Sequence, residues 1–225
     1  HMENNLTTSL NGFNALVCGG SSGIGKATAI EFSILGANVT LFSRSEIKLK
    51  ETLTLLPNNG NQKHQYLVGD FDNSESIKKI IDKHIRSNNN YHILINNSGG
   101  PKAGPIVGAD TDDFFRGFNR HLICNHILFQ ALYPNMKELE YGRIINIIST
   151  SVKQPIAGLG VSNTIRGAVA SWAKTLSFEV GEFGITINNI LPGFTDTERL
   201  SSFIETISSN LNTSVEDITK TMQLQ

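Results

Sequence analysis

Short β-rich runs alternate with longer helical runs along most of the chain, and this alternation limits the possible folds more than any other feature. Strands that are joined through helices lie parallel, because each crossover returns the chain to the same end of the sheet. The predicted strands are 14–18, 38–42, 65–68, 92–95, 143–148 and 186–191, and the predicted helices are about 23–35, 46–55, 74–86, 111–137 and 162–181. The pattern predicts an α/β fold: a doubly wound, largely parallel sheet of six or seven strands with helices on both faces, of the Rossmann type.

The residues that follow the predicted strands point to one edge of this sheet. Five strands end at Gly19, Asp70, Asn96, Ser149 and Pro192. In open parallel sheets, ligands bind beyond the carboxyl ends of the strands. We therefore expect a binding site that combines these five loops.

A glycine-rich turn, Gly19-Gly20-Ser21-Ser22-Gly23-Ile24-Gly25, lies between the first predicted strand and the first predicted helix. Glycine permits a tight turn and a close backbone approach, and a helix N-terminus offers free N–H groups to an anion. A glycine-rich turn without a ligand is the alternative. The strand–turn–helix context favours a site for the pyrophosphate of a dinucleotide.

Composition and charge exclude several other classes of protein. The chain has 225 residues, a formal net charge of −1 and 39% hydrophobic residues, so it favours neither nucleic acid nor an anionic membrane as a partner. No apolar run is long enough for a membrane span. Cys18 and Cys124 lie in separate apolar stretches, which predicts reduced thiols and a cytoplasmic location. We interpret residues 1–2 as a cloning scar and residues 3–225 as one dinucleotide-binding and catalytic domain.

The spacing of the turn glycines and four further segments resemble the short-chain dehydrogenase/reductase family. Residues 18–25 resemble its T-G-x-x-x-G-x-G turn with Cys18 in place of Thr, and residues 96–99 resemble its N-N-A-G segment. Asp70 corresponds to the acid that contacts adenine, Ser149 to the catalytic serine, and residues 192–197 to the P-G-x-x-x-T segment that holds the nicotinamide carboxamide. The sequence is most similar in general appearance to 3-oxoacyl-(acyl-carrier-protein) reductases and their divergent relatives.

The turn and the resemblance together predict a set of residues that bind a nicotinamide dinucleotide. They are Gly19, Ser21, Ser22, Gly23, Ile24, Ser43, Arg44, Asp70, Phe71, Asn97, Ser98, Gly99, Pro192, Gly193, Thr195 and Thr197. An acid at the end of the second strand would bind a ribose 2′-hydroxyl, whereas an arginine suits a 2′-phosphate. This strand ends at Ser43-Arg44 with no acid before Glu46, which favours NADP(H) over NAD(H). The alternative is that Arg44 is a solvated charge at a helix entry.

The resemblance fails at the catalytic residues of the family. Its tyrosine lies thirteen residues after the serine, and its lysine four residues further on. Counting from Ser149 places Ser162 and Arg166 at these positions, and the family's helix asparagine corresponds to His121. His121 and His126 are five residues apart, off the spacing that a metal pair prefers on a helix, so we predict no metal site.

The replacements change the available chemistry. A serine hydroxyl is a far weaker acid than a tyrosine whose pKa is lowered by a cation, and an arginine is not deprotonated in proteins. Ser149 and Ser162 could donate hydrogen bonds to a substrate oxygen, while Arg166 could stabilise negative charge or hold the ribose hydroxyls. His121 could deliver a proton, or could be a hydrogen-bonded histidine in the wall of the site.

Two functions therefore remain open for the sequence. One is an NADP-dependent oxidoreductase that acts on a small-molecule or acyl-carrier-linked carbonyl with an atypical active site. The other is a catalytically silent dinucleotide-binding or regulatory subunit. Apolar residues of the two long helices and the family resemblance predict a homodimer or homotetramer. Family members continue past the point that corresponds to Gln225 with a further strand, so the native chain either extends beyond this residue or lacks that strand.

Overall fold

Six parallel strands form the centre of the computed structural model, which describes residues 9–58, 61–87, 89–193, 195, 200–201, 204–205, 208 and 213–223. The strands are β1 (Asn14–Cys18), β2 (Asn38–Ser43), β3 (Gln65–Val68), β4 (Ile93–Asn96), β5 (Gly142–Ile147) and β6 (Ile185–Ile190). The helices are α1 (Gly23–Ile34), α2 (Glu46–Thr54), α3 (Ser74–Arg86), α4 (Thr111–Phe118), α5 (Cys124–Glu138), α6 (Gly160–Val180) and α7 (Val215–Gln223). Short 3₁₀ turns lie at Ile106–Gly108, Thr150–Val152 and Gly181–Phe183.

The strand order is β3-β2-β1-β4-β5-β6, and every described pair is parallel. The predicted doubly wound sheet is confirmed. After β3 the chain crosses to the other side of β1, so the direction of winding reverses between β1 and β4. A crevice opens at such a reversal beyond the carboxyl ends of the strands, which is where the five predicted loops meet.

Each face of the sheet is covered by its own hydrophobic cluster. On one face Leu16, Leu94 and Ile144 pack among buried residues of α3, α5 and α6. On the other face Val17 and Ile95 pack with buried residues of α1 and α2. Burial of both faces explains why the strands are almost continuously apolar. None of the helices in the described part of the chain is long and apolar enough to cross a membrane.

The predicted helix 111–137 is wrong in one respect, because the structure divides it. A π turn at Asn119–Ile123 separates α4 from α5. A π turn takes one more residue per turn than an α-helix and often occurs at functional sites. The apolar pattern continues on both sides of the turn, and the contacts that hold it come from loops distant in sequence, so local periodicity could not reveal it.

Three asparagines form a ladder near the carboxyl ends of β4, β5 and β6. Asn96, Asn146 and Asn189 lie in register on β4, β5 and β6. Asn96 Nδ2 donates to Asn146 Oδ1 at 2.9 Å, and Asn146 Nδ2 donates to Asn189 Oδ1 at 2.9 Å. Asn146 is fully buried. The ladder joins the strands through their side chains directly beneath the loops of the predicted site.

We predict that Asn146→Leu lowers the free energy of unfolding by about 1–3 kcal/mol, because it leaves the amides of both neighbours without their partner. Chemical denaturation measures the change. The same exchange at exposed Asn188, one residue from the ladder on β6, is the matched control and should cost at most about 0.5 kcal/mol. Equal losses at the two positions would contradict a stabilising role for the ladder.

Candidate active site

The glycine turn after β1 has no room for side chains at its critical positions. Gly19 has φ +62°, and a Cβ there would lie 2.5 Å from Asn97 Nδ2. A Cβ on Gly25 would lie 2.2 Å from the carbonyl oxygen of Gly19. Gly23 also has a positive φ, of +50°. At Gly19 and Gly25 the backbone of the turn therefore packs directly against the loop after β4.

The N-terminus of α1 is suited to an anion. α2, α3 and α4 begin with a side chain that accepts a hydrogen bond from the first turn, whereas Ser22 does not cap α1. The first turn of α1 also carries no acidic residue. Uncapped N–H groups at the positive end of a helix dipole attract phosphate oxygens. Ser21 and Ile24 are half-buried in the turn, and Ser22 and Gly23 are exposed, so these residues fit the pyrophosphate of a dinucleotide.

The end of β2 presents a hydroxyl and a guanidinium. Ser43 is buried, and its Oγ has no hydrogen-bond partner among the residues that the structure describes. Arg44 is exposed. Glu46, the first acid after β2 along the chain, accepts from Tyr66 Oη at 3.0 Å and pairs with Lys50 at 2.9 Å. The Lys50 ammonium beside it lowers the pKa of this carboxyl. The Arg44 side chain is thus available to a ligand at this strand end, whereas Ser43 Oγ is buried.

The loop after β3 lies beside the end of β2, because the N–H of Gly69 donates to the carbonyl of Ser43 at 3.0 Å. The Asp70 carboxylate accepts from the N–H of Asp72 at 3.0 Å. The Phe71 ring is buried, with its centroid 5.3 Å from that of Phe42. This loop therefore holds the predicted cofactor residues Asp70 and Phe71 next to the Ser43-Arg44 end of β2.

The loop after β4 touches both the glycine turn and the π turn. Asn97 Nδ2 donates to the carbonyl of Cys18 at 3.4 Å, which ties the loop to β1. Ser98 Oγ lies 2.9 Å from Nδ1 of His121. The carbonyl of Gly99 accepts from Arg120 Nη1 at 3.0 Å. The predicted cofactor residues 97–99 thus lie between the glycine turn and the π turn.

The segment after β6 lies beside the loop after β5. The carbonyl of Pro192 accepts from the N–H of Thr150 at 3.2 Å. Gly193 and Thr195 are exposed. Thr197 lies outside the described residues. The structure therefore brings the start of the predicted nicotinamide segment next to Ser149.

A buried polar cluster combines three elements behind this edge. Arg166 Nη1 of α6 donates to the carbonyl of Ile147 at 3.0 Å and lies 3.4 Å from Nδ1 of His121. His121 also contacts Ser98, and both His121 and Arg166 are buried. Because arginine can only donate, Nδ1 is the acceptor in this contact, which favours a neutral imidazole with its proton on Nε2. The cluster joins the loop after β4 to α6.

The two candidate serines lie next to this cluster without joining it. Ser149 Oγ accepts from the N–H of Ser151 at 3.1 Å at the carboxyl end of β5. Ser162 is buried in the first turn of α6, one turn before Arg166. Within the described ranges, no hydrogen bond links either serine to Arg166 or His121. The structure therefore assembles the predicted catalytic residues at one edge but pairs only His121 with Arg166.

Two further residues of the site were missed by the sequence reasoning. Asn119 Nδ2 donates to the carbonyls of Phe71 and Asp72 at 3.2 and 3.0 Å. Arg120 binds the Asp72 carboxylate and the carbonyl of Gly99. Both precede His121 on the π turn. Only the polar pair itself, next to a candidate catalytic histidine, could have drawn attention to them.

The remaining reactive side chains are buried in the core. Burial raises the pKa of the Cys18 thiol far above its ordinary value and that of Cys124 to about 12, so neither is a ready nucleophile. His126 Nδ1 accepts from Trp172 Nε1 at 3.3 Å. Within the described part of the chain, no three side chains of the types that bind metals come together.

Comparison with known proteins identifies the family. A family model described as short chain dehydrogenase matches residues 14–208. The chain belongs to the short-chain dehydrogenase family. It is 32% identical over 191 residues to a 3-oxoacyl-(acyl-carrier-protein) reductase of Pseudomonas aeruginosa, covering 84% of this chain and 76% of that protein. It is 26% identical over 194 residues to an NADPH-dependent reductase of Bacillus subtilis, covering 86% of this chain and 75% of that protein.

The solved structures agree with this assignment. The L-sorbose reductase from Gluconobacter frateurii, complexed with NADPH and L-sorbose, superposes with a TM-score of 0.83. Its sequence identity is 25%, and the match covers 91% of this chain and 78% of that chain. Because the two folds correspond over this length, the loops that follow their strands lie at the same edge of the sheet.

We predict that Gly25→Ala lowers dinucleotide affinity at least tenfold, because the new Cβ would collide with the backbone of Gly19 and displace the phosphate turn. Equilibrium titration of NADPH, followed by its fluorescence, measures the change. Gly167→Ala is the matched control, because a Cβ at this position of α6 meets no atom within 4 Å. Unchanged affinity in folded Gly25→Ala would show that the turn does not hold the cofactor.

Proposed function

We propose that this short-chain dehydrogenase is an NADP-dependent oxidoreductase that reduces a 3-oxoacyl-like carbonyl with an atypical active site. The proposal rests on the contact between the glycine turn and the loop after β4. Ser98 of that loop also contacts the buried His121–Arg166 pair. In this arrangement a cofactor site and a carbonyl-polarising site share one loop. The nicotinamide dinucleotide, when bound, supplies the hydride.

Preference for NADP(H) rests on the end of β2. Arg44 is exposed there, the neighbouring Ser43 Oγ is buried without a described partner, and Glu46 is occupied by Tyr66 and Lys50. A guanidinium and a hydroxyl suit a ribose 2′-phosphate, whereas a free acid would suit a 2′-hydroxyl. The Gluconobacter L-sorbose reductase, which shares this fold, was solved with NADPH.

The proposed catalytic roles follow from position and charge. Ser149 and Ser162 donate hydrogen bonds to the substrate oxygen, and Arg166 stabilises the negative charge that develops there or orients the ribose hydroxyls. A buried guanidinium needs fixed acceptors, and the carbonyl of Ile147 and the His121 ring provide two of them. His121 either holds Arg166 and Ser98 in place as a neutral ring, with the proton of the product alcohol coming from solvent through Ser149 or Ser162, or delivers that proton itself.

A silent dinucleotide-binding or regulatory subunit is the second candidate function, and the placement of the tyrosines favours it. None of the four has a described contact with Ser149, Ser162 or Arg166. Tyr66 binds Glu46, Tyr91 donates to Thr40 in the core, Tyr133 stacks on Phe129, and Tyr141 packs against Phe13 at the opposite edge of the sheet. No phenol is available there as the acid that short-chain dehydrogenases ordinarily use, so activity depends on the serine and arginine donors.

The substrate class is proposed from the relatives. The Pseudomonas protein is a 3-oxoacyl-(acyl-carrier-protein) reductase, so a carbonyl on a small molecule or an acyl carrier is the corresponding substrate here. The loop between β4 and α4 borders the site, because the N–H of Gly104 donates to the carbonyl of Gly158 at 2.7 Å. Exposed Val107 lies in this loop and offers an apolar contact for such a substrate.

We also propose one domain over residues 3–225, a cytoplasmic location and a homodimer or homotetramer. Two apolar residues of α6, Val169 and Leu176, are buried in the core and are not available for a subunit interface. Phe115 of α4 and Phe178 of α6, which are 72% and 76% exposed, supply apolar surface instead. Large exposed aromatic side chains on neighbouring helices are typical of subunit contacts.

We expect Arg44→Ala to weaken NADPH binding by about 1.5–3 kcal/mol, the value of a hydrogen bond to a charged group, with little effect on NADH. Parallel titrations with the two cofactors measure the difference. Lys48→Ala, which removes an exposed charge four residues further on, is the control. An equal loss for both cofactors would refute the 2′-phosphate contact.

Activity itself is tested with NADPH and a panel of 3-oxoacyl, steroid and sugar carbonyls. Arg166→Met should lower turnover about 10²–10³-fold, as expected for the loss of one transition-state donor, with a smaller change in cofactor affinity. Arg143→Met is the control, since this guanidinium stacks on Tyr141 far from the site.

Two outcomes of this experiment would change the proposal. Tight NADPH binding without turnover of any carbonyl would favour the silent subunit. If His121 delivers the proton, activity falls as pH rises through the ordinary histidine pKa of about 6.5, and His121→Phe removes that limb. A neutral His121 predicts no such limb.

A further inference from the structure

Arg120 joins the loops after β3 and β4 through all three nitrogens of its guanidinium group. Its Nε donates to Asp72 Oδ1 at 2.7 Å, and its Nη2 donates to Asp72 Oδ2 at 2.5 Å. The remaining Nη1 donates to the carbonyl of Gly99 at 3.0 Å. The two ion-pair partners are only 22% and 34% exposed. This fork-to-fork geometry engages both oxygens of the carboxylate, which a lysine could not do.

Asp72 lies close to the cation that we assign to the 2′-phosphate. Its loop follows β3, and that loop is bonded to the end of β2 through Gly69 and Ser43. The pKa of Asp72 is lowered chiefly by its hydrogen bonds with Arg120, and the charges of Arg44 and Arg116 lower it further. The backbone bond between the two strand ends brings the Asp72 loop beside Arg44.

An uncompensated carboxylate at this position would act against NADP(H) in two ways. The carboxylate would compete with the phosphate for Arg44. Its negative charge would also repel the phosphate, because salt screens partly buried charges only weakly. The ion pair with Arg120 cancels that charge. NADH carries no 2′-phosphate, so its binding lacks both effects.

We propose that Arg120 is a specificity-determining residue, which favours NADP(H) by neutralising Asp72 beside Arg44. The inference rests on the proposed NADP(H) site and assigns it a second charged residue from a different part of the chain. Arg120 acts through Asp72 and needs no contact with the phosphate. Its neighbour His121 belongs to the catalytic cluster, so one π turn serves both ends of the cofactor.

The test compares NADPH and NADH titrations of the wild type, Arg120→Gln, Arg120→Lys and the double variant Arg120→Gln/Asp72→Asn. Arg120→Gln should weaken NADPH binding about tenfold and NADH binding less than about twofold. The double variant lacks the ion pair and also the exposed carboxylate, so it should recover most of the NADPH affinity. Arg120→Lys should keep the preference, because it keeps the charge.

Arg86→Gln is the matched control. Arg86 lies in the last turn of α3, at the opposite end of that helix from the loop that holds Asp72, so its loss should leave the ratio of the two affinities unchanged. Thermal unfolding of each variant shows that it is folded.

The outcomes separate the inference from the proposed function. Equal losses for both cofactors in Arg120→Gln, without recovery in the double variant, would mean that Arg120 only holds the loops, which overturns the inference. A wild type that prefers NADPH and variants that keep its ratio would overturn the inference alone. A wild type that binds neither dinucleotide, or does not prefer NADPH, overturns the proposed cofactor and the inference with it.

Discussion

The close approach of the glycine turn to Asn97 is the constraint on which the rest of the site depends. A Cβ at Gly19 would collide with the Asn97 amide, and that amide binds the carbonyl of Cys18 at the end of β1. This contact joins the loops after β1 and β4 at the reversal of the sheet. The adjacent Ser98 and Gly99 contact the π turn. The loop after β4 therefore sets the positions of both the glycine turn and His121.

Charge is distributed unequally along this edge. At the reactive end, the buried Arg166 is held by the carbonyl of Ile147 and by His121. At the adenine end, Asp72 and Arg120 neutralise each other, while Arg44 stays exposed. Buried charges persist only where polar partners compensate for lost solvation. The arrangement leaves the accessible cation Arg44 at the end of β2, where we propose that the 2′-phosphate lies, and the fixed cation Arg166 beside the proposed carbonyl site.

In the proposed function the chain departs from the tyrosine chemistry of its family. Tyr91 and Tyr133 pack with the core, Tyr141 lies at the opposite edge of the sheet, and Tyr66 binds Glu46. His121 accepts a hydrogen bond from Arg166. We propose that Ser149, together with the replacements Ser162 and Arg166, supplies the donors that polarise a carbonyl. The proposed site can bind a cofactor and stabilise an oxyanion, and it differs from the family in how a proton is supplied.

The sequence by itself determined the sheet, its parallel winding and the loops of the site, because alternating periodicity and glycine spacing are local properties. Counting from Ser149 led to the candidates Ser162 and Arg166, and correspondence with the family's helix asparagine led to His121. Only the tertiary structure decided that a π turn divides helix 111–137, and that Arg120 pairs with Asp72 across the crevice. Such contacts join residues far apart in the chain, and their energy depends on distance and burial that no local pattern encodes.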